Sequence, residues 1–265
     1  MSQQIRVGVI GAGVMGEALI SALISSGVDA KSITISEKRA DRQNELITVY
    51  GISADDLQAN VTSADVVLLV VKPQDMAGVL DDIRDAINPK AVIVSFAAGK
   101  RIDFISARVQ NPVIRVMPNT ATIAGAGMSA ISLGSGVTHE QKEFVTKFLA
   151  ATGKVIEVPE DLQDAVTATS GSGPAYFFRF VEAMVAGAQE LGLSLEDATI
   201  LTNQTIIGAA KLLETSGKSA TTLRENVTSP NGTTAAALQS FENSEITNVV
   251  AKAMKAARDR SQELA

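Results

Sequence analysis

The sequence predicts an α/β protein in two parts: an N-terminal parallel-sheet domain over residues 1–159 and an all-α domain over residues 160–265. Three observations lead there. Short β-rich runs alternate with helix-period segments through the first half. No strong strand run occurs after Val155-Ile156-Glu157-Val158. A glycine-rich turn stands where the first run meets the first helical segment.

Each element has a local reason. Ile5 to Ile10 is a short β-rich run, and Val14 to Ser26 follows a helical pattern that Gly27 stops. Ile33-Thr34-Ile35 reads as a second strand, and Arg39 to Tyr50 as a second helix ended by Gly51. Val66 to Val71 is almost wholly β-branched or Leu, as expected of a strand covered on both faces. Pro73 ends it and can open a helix over Gln74 to Ile87. Ala91 to Phe96 and Val113 to Met117 are further buried strands. Strands separated by helices of this length imply a parallel sheet with right-handed crossovers. In the second part Pro174 to Leu191 reads as a helix closed by Gly192, and Ser194 caps the next one. That next helix, to about Glu214, has apolar residues on more than one face, and Gly187, Gly208, Ala209 and Ala210 allow close neighbours. It predicts packing against another subunit, with burial inside a single subunit as the alternative.

Bulk properties narrow the classes. Of 265 residues, 46% are apolar and 20% charged, and the net charge is −6. That balance argues against nucleic acid or an anionic membrane as partner. Cysteine is absent, which removes disulfides, thiolate metal sites and cysteine nucleophiles and fits a reducing cytoplasm. Met1-Ser2-Gln3-Gln4 is expected to run directly into the first strand with no leader, and the apolar runs are too short to span a bilayer. A cytoplasmic protein acting on a small molecule is the expectation.

Gly11-Ala12-Gly13-Val14-Met15-Gly16 follows a strand and opens a helix. Gly11 permits the tight turn, Gly13 lets backbone approach a pyrophosphate, and Gly16 lets helix pack closely on strand. Free amides at the helix start then face the anion. This context makes the first part Rossmann-like and predicts a bound dinucleotide. Beyond the second strand lie Ser36, Glu37, Lys38 and Arg39. Glu37 suits the ribose of NAD, whereas Ser36, Lys38 and Arg39 can surround a 2′-phosphate. The reading favours NADPH, with NADH as the alternative. Ligands in such sheets sit at the carboxyl ends of strands, here Val71-Lys72-Pro73, Ala97-Ala98-Gly99, and Asn119 after Met117-Pro118. The small residues at 97–99 leave room for a flat nicotinamide.

A second anion site is expected late in the chain. Asn226 to Thr234 contains Ser229-Pro230-Asn231-Gly232-Thr233-Thr234 and precedes a helical run over Ala235 to Glu242. Pro230 biases Ser229 to extended backbone, Asn231 and Gly232 tolerate positive φ, and Thr233 or Thr234 can cap the helix. Such a hydroxyl-rich turn suits a carboxylate, although a plain capped turn explains it equally well. Gly171-Ser172-Gly173-Pro174 is a similar helix start. No metal site is expected. His139, the sole histidine, sits in a capping box with Thr138 and Gln141, and Glu182 and Glu190 share a helix face without any histidine beside them.

At these residues the chain resembles the pyrroline-5-carboxylate reductases. The likeness runs through the glycine turn, Val71-Lys72-Pro73, Ser95 to Gly99, Arg115 to Thr120, Ser170 to Tyr176 and, most specifically, L-R-E-N-V-T-S-P-N-G-T-T-A-A-A-L at Leu223 to Leu238. Asn231-Gly232-Thr233 departs from many members, which carry glycine or alanine at one or more of these positions. The resemblance implies a Rossmann domain followed by a helical domain that interlocks two subunits, so at least a homodimer, or a higher oligomer of dimers. It implies NAD(P)H-dependent reduction of a cyclic imine to proline. Ala97, Ala98 and Asn119 would then lie near the nicotinamide. Ser229, Gly232, Thr233 and Thr234 would hold substrate, from a loop shared between subunits. Thr234 is the candidate for a hydrogen bond to the ring nitrogen, with a solvent proton as the alternative. Two rival readings are a β-hydroxyacid dehydrogenase and a non-catalytic dinucleotide-binding regulator. The first expects a lysine on the helix Pro174 to Leu191, which carries Arg179 and no lysine.

Overall fold

The computed structural model describes residues 5–264, so the expectation for Met1 to Gln4 lies outside the described residues. Its sheet has eight strands: β1 (Val7–Ile10), β2 (Ile33–Ser36), β3 (Ser53–Ala54), β4 (Val66–Leu69), β5 (Val92–Ser95), β6 (Val113–Met117), β7 (Gly127–Leu133) and β8 (Gly153–Glu157). The order is β3-β2-β1-β4-β5-β6-β7-β8. The chain moves outward from β1 through β2 to β3, then returns to lay β4 on the other side of β1. That reversal is the topological switch point, and the crevice beyond the carboxyl ends of β1 and β4 is where such sheets bind ligands. Register puts those ends level, because Ile10 pairs with both Ser36 and Leu69.

All neighbours run parallel except β6 and β7, which are antiparallel. The wholly parallel sheet expected from the sequence is therefore corrected at this one pair. The reason is length: residues 118–126 are too few for a parallel crossover, which needs roughly a dozen or more, so the chain folds straight back.

The first unit's helices are α1 (Val14–Ser25), α2 (Ala40–Tyr50), α3 (Leu57–Ser63), α4 (Met76–Ile83), α5 (Ile102–Ser106), α6 (His139–Ala150) and α7 (Gln163–Val166). They cover both faces of the sheet. Leu19, Leu23 and Phe148 pack with Val9, Leu68, Val94 and Val116 on one side. Leu80, Ile83 and Ile105 pack with Val67, Leu69, Ile93 and Val113 on the other. This two-sided burial is why β4 and β5 read as unbroken apolar runs. The helix expected over Gln74 to Ile87 is shorter, with a 3₁₀ turn over Pro73–Asp75 before α4. After Ile83 the ladder tightens, with the Ala86 amide donating to Ile83 O three residues back at 3.0 Å.

The remaining helices are α8 (Gly173–Glu190), α9 (Leu195–Thr215), α10 (Ala220–Asn226), α11 (Thr233–Asn243) and α12 (Ile246–Glu263). Gly192 adopts φ +100° after α8, and Ser194 caps α9 by accepting from the Asp197 amide. Contacts divide the described residues at Gly173/Pro174, with residues 257–264 joining the sheet unit, whereas the sequence places the boundary at 159/160. Residues 160–173, including a single π-helical turn at Thr167–Gly171, thus go with the sheet. In the helical unit Phe177, Phe178, Ile200, Ile207 and Val249 are exposed, Phe178 at 65%.

Candidate functional site

Three glycines of the turn after β1 do three different jobs. Gly11 takes φ +88° and donates its amide to Ser36 O at 2.9 Å, and a Cβ there would press within 3.0 Å of Val70 O. Gly16 lies so close to the turn that a Cβ would fall 2.4 Å from Gly11 O. Gly13 is the N-cap of α1, no side chain caps that helix, and a Cβ on Gly13 would meet nothing within 4 Å. An open concave side and uncapped first-turn amides are what a pyrophosphate requires.

Ala12, between them, is fully buried and held at both ends of its backbone. Its amide donates to Glu37 Oε2 at 3.0 Å, and its carbonyl accepts from Arg42 Nε at 3.1 Å. Arg42 also pairs with Glu17 and with Glu45 (2.7 Å), while Tyr50 Oη donates to Glu17 Oε1 at 3.0 Å. The Arg42 hydrogen bond holds the Glu17 carboxyl below its ordinary range; burial and then Glu17 push the Tyr50 phenol up.

A cleft of about 690 Å³ opens beside this turn. Of the sequence-predicted cofactor residues, Gly11, Gly13, Ser36, Lys38, Val71 and Lys72 line it. Val14, Met15, Gly16, Arg39 and Pro73 adjoin these in sequence without lining it. Ala97, Ala98, Gly99 and Asn119 follow the carboxyl ends of β5 and β6. The Asn119 Oδ1 accepts from the Met128 amide at 3.1 Å, which fixes that loop to the start of β7. Sequence reasoning missed Gln43, Asp55, Asp56 and Asp75 as lining residues. Asp55 and Asp56 follow β3, a strand of two residues that gives no periodic signal.

The candidate residues for reading the adenosine ribose differ in their freedom. The Ser36 hydroxyl donates to Asp55 O at 3.1 Å and accepts from Asn60 Nδ2 at 2.9 Å, so its proton is committed. Glu37 is 13% exposed and also accepts the Arg39 amide at 3.1 Å. The Arg39 side chain is 60% exposed, with Nε 3.8 Å from Glu37 Oε1. Lys38 lines this end of the cleft together with Glu37, Asp55 and Asp56, and Arg39 follows Lys38 in sequence.

In the helical unit Ser229 to Gly232 forms a turn: the Gly232 amide donates to Ser229 O at 3.0 Å and Asn231 takes φ +60°. Pro at its second position and positive φ at its third fit a type II turn. Gly232, not Thr233 or Thr234, is the N-cap of α11, and no side chain caps it. This corrects the capping role expected of the threonines, which instead begin the helix itself. A Cβ on Gly232 would lie 2.4 Å from Ser229 Oγ, so glycine is needed for the serine hydroxyl to sit over the helix start. Ser229, Gly232, Thr233 and Thr234 are thereby brought together around uncapped amides.

The capping box at Thr138 and Gln141 is present, and His139 is 75% exposed beside Glu143 at 3.2 Å. Glu182 pairs with Arg179 at 3.0 Å. Among the described residues no group of three or more His, Asp or Glu side chains is placed to hold a metal ion.

Comparison with known proteins agrees with this layout. Residues 160–264 match a family model described as pyrroline-5-carboxylate reductase dimerisation, and residues 6–99 match one described as NADP oxidoreductase, coenzyme F420-dependent. The chain is 38% identical to a pyrroline-5-carboxylate reductase of Mycobacterium leprae, over 100% of this chain and 98% of that one. It is 41% identical to one from Corynebacterium melassecola, over 97% and 98%. A solved pyrroline-5-carboxylate reductase from Coxiella burnetii superposes with a TM-score of 0.93 at 32% identity, covering 99% of both chains. A Plasmodium falciparum pyrroline carboxylate reductase solved with NADP bound gives 0.86 at 26% identity, covering 98% of both.

Proposed function

The chain belongs to the pyrroline-5-carboxylate reductase family, and we infer from that premise that it reduces the C=N bond of 1-pyrroline-5-carboxylate to give L-proline, the last step of proline biosynthesis, using NAD(P)H. The observation that carries the cofactor half is the open side of Gly13 at an uncapped helix start, beside a cleft large enough for a nucleotide. The family membership, over the whole chain, carries the substrate half.

Bound NAD(P)H supplies the hydride. Everything else falls to the protein's own residues. The first-turn amides of α1 bind the pyrophosphate, with Gly11, Gly13 and Gly16 setting backbone approach. Lys38 and Arg39 read the 2′-phosphate of NADPH, and Glu37 tolerates NADH by accepting from a ribose hydroxyl. Val71-Lys72-Pro73 flanks the dinucleotide, and Ala97, Ala98, Gly99 and Asn119 border the nicotinamide side. Ser229, Gly232, Thr233 and Thr234 hold the substrate carboxylate and ring. The Thr234 hydroxyl donates a hydrogen bond to the ring nitrogen, which takes up one proton, relayed from solvent through that hydroxyl, as the imine carbon takes up hydride. The carbon of a C=N bond is already electrophilic, so orientation accounts for most of the work asked of the protein.

The exposed apolar residues of α8, α9 and α12 suit a second copy of the chain, in keeping with the dimerisation model matched over 160–264. A homodimer is the smallest catalytic unit in this reading, and pairs of dimers can build larger assemblies. Among the described residues no helix is long and apolar enough to cross a membrane, and we place the enzyme in the cytoplasm.

One assay tests the reading. Purified protein should oxidise NADPH or NADH with pyrroline-5-carboxylate and leave hydroxyacids and ketoacids unreacted. Binding of the dinucleotide without turnover of the imine would overturn it.

A further inference from the structure

The chain's last turn reaches the carboxyl edge of the sheet at two places. Ser261, 3% exposed near the end of α12, donates its hydroxyl to Asp164 Oδ1 at 2.7 Å. Asp164 stands 3.9 Å from Nη2 of Arg115, a residue of β6 that is 1% exposed. Glu160 takes the other arm of Arg115 at 3.2 Å, and the same Glu160 oxygen accepts the Ile102 amide at 2.7 Å. Arg115 is thus a buried cation whose Nε and Nη2 have no hydrogen-bond partner and whose nearby counter-charges come from residues 160–164. A buried charge of this kind depends on where its partners are held, and Ser261 fixes one of them.

The second place is Gly99. It takes φ +75°, and a Cβ built there would lie 3.0 Å from the backbone and Cβ of Leu264. Leu264 therefore rests on the loop that follows β5. The two branches end on different loops. Leu264 backs Gly99. The line from Ser261 through Asp164 to Arg115 backs the strand that delivers Met117, Pro118 and Asn119. The glycine turn and the ribose end of the cleft are held by Glu37, Arg42 and Asn60.

We propose that residues 261–264 are a positioning element for the nicotinamide end of the cofactor site. They hold the loops after β5 and β6 in one arrangement and do not themselves meet the reacting atoms. The proposal rests on the assignment of residues 97–99 and 119 to the nicotinamide side. It predicts a split between the two halves of the dinucleotide, because the adenosine half is held elsewhere.

The test compares the full-length enzyme with a chain ending at Ser261, and with Ser261→Ala and Ser261→Thr. Binding of 2′,5′-ADP, which has no nicotinamide, and of NADPH is measured by titration, alongside steady-state kinetics with pyrroline-5-carboxylate. A wild-type protein that binds both ligands but does not turn over the imine would end the functional reading while leaving the binding comparison intact. The shortened chain and Ser261→Ala should keep 2′,5′-ADP affinity within about twofold. They should lose NADPH affinity and kcat, the latter by about tenfold, the scale set by sub-ångström misplacement of reacting groups. KM for the imine should change little, and Ser261→Thr should restore the wild-type values. Equal weakening of 2′,5′-ADP and NADPH, or wild-type kcat and affinities throughout, would overturn the proposal. If the shortened chain does not fold, the Ser261→Ala and Ser261→Thr pair decides by the same readouts.

Discussion

The Glu37 carboxylate lies 3.0 Å from the Ala12 amide nitrogen, so the residue just past the second strand also pins the glycine turn. The acid proposed to read a ribose is therefore a structural partner of the glycine turn. Replacing Glu37 by Ala should weaken NADH and NADPH alike through the turn, and NADH further through the lost ribose acceptor. The ratio of kcat/KM values should move toward NADPH by about tenfold, equivalent to one hydrogen bond to a charged group of about 1.4 kcal/mol. An unchanged ratio would remove Glu37 from the specificity determinants.

Lys38 and Arg39 should act in the opposite sense. Replacing both by Ala should reduce kcat/KM for NADPH about tenfold or more and leave NADH within about twofold, since each exposed phosphate contact is a charge-assisted hydrogen bond. The effect should shrink with added salt. Equal losses for both cofactors would argue that the two cations serve the fold instead.

Gly13 and Gly16 share one motif but predict different phenotypes. A Cβ at Gly13 meets nothing within 4 Å, so Gly13→Ala should melt within a few degrees of wild type while dinucleotide affinity collapses. A Cβ at Gly16 would sit 2.4 Å from Gly11 O. Gly16→Ala should lose about 1–3 kcal/mol of stability, the usual cost of overpacking. Thermal melts and cofactor titrations on the two variants separate these outcomes, and indistinguishable melts would contradict the packing role of Gly16.

Thr234→Ala should lower kcat with pyrroline-5-carboxylate about tenfold, the worth of one hydrogen bond of about 1–1.5 kcal/mol. Thr234→Ser should retain most of the activity. Normal turnover in the alanine variant would assign the proton to solvent.

Acid should loosen the glycine turn through Glu17. Its folded-state pKa is depressed, first by the Arg42 hydrogen bond, from an ordinary value of 4.5. A depressed carboxyl contributes stability that is full above that unfolded value and is lost as pH falls through the lower folded one. Unfolding midpoints measured from pH 6 downward should therefore fall less steeply in Glu17→Gln than in wild type over the acid range. Parallel curves would show that the pair carries no pH-linked stability.

Local chemistry made much of this legible. The glycine turn, the Ser194 cap and the Thr138 capping box each need only a few neighbouring residues, and each is where the sequence puts it. β7 was not legible, because Gly127-Met128-Ser129-Ala130 lacks an apolar run and becomes a strand only through its pairing with β6 and β8. The partners of Ser36, Asp55 and Asn60, arrive from elements that cannot be seen in its own neighbourhood, so the direction of its hydroxyl is not legible there. At Thr233 and Thr234 the residue types suggested capping, and the close seat of Ser229 Oγ against Gly232 gave the cap to the glycine instead.

The reversed strand β7 also has a meaning in time. Joining β6 to β7 closes only the short loop 118–126, whereas joining β1 to β4 must bring Val7–Ile10 to Val66–Leu69 across the whole of the intervening β-α-β chain. Short closures cost less chain entropy and form sooner. A refolding molecule should therefore assemble its β6–β7 hairpin, with Asn119 bonded to Met128, before the glycine turn finds the neighbours that shape it. The edge of the sheet proposed to meet the nicotinamide is organised early, and the glycine turn proposed to meet the pyrophosphate is among the last parts of the sheet unit to acquire its final form.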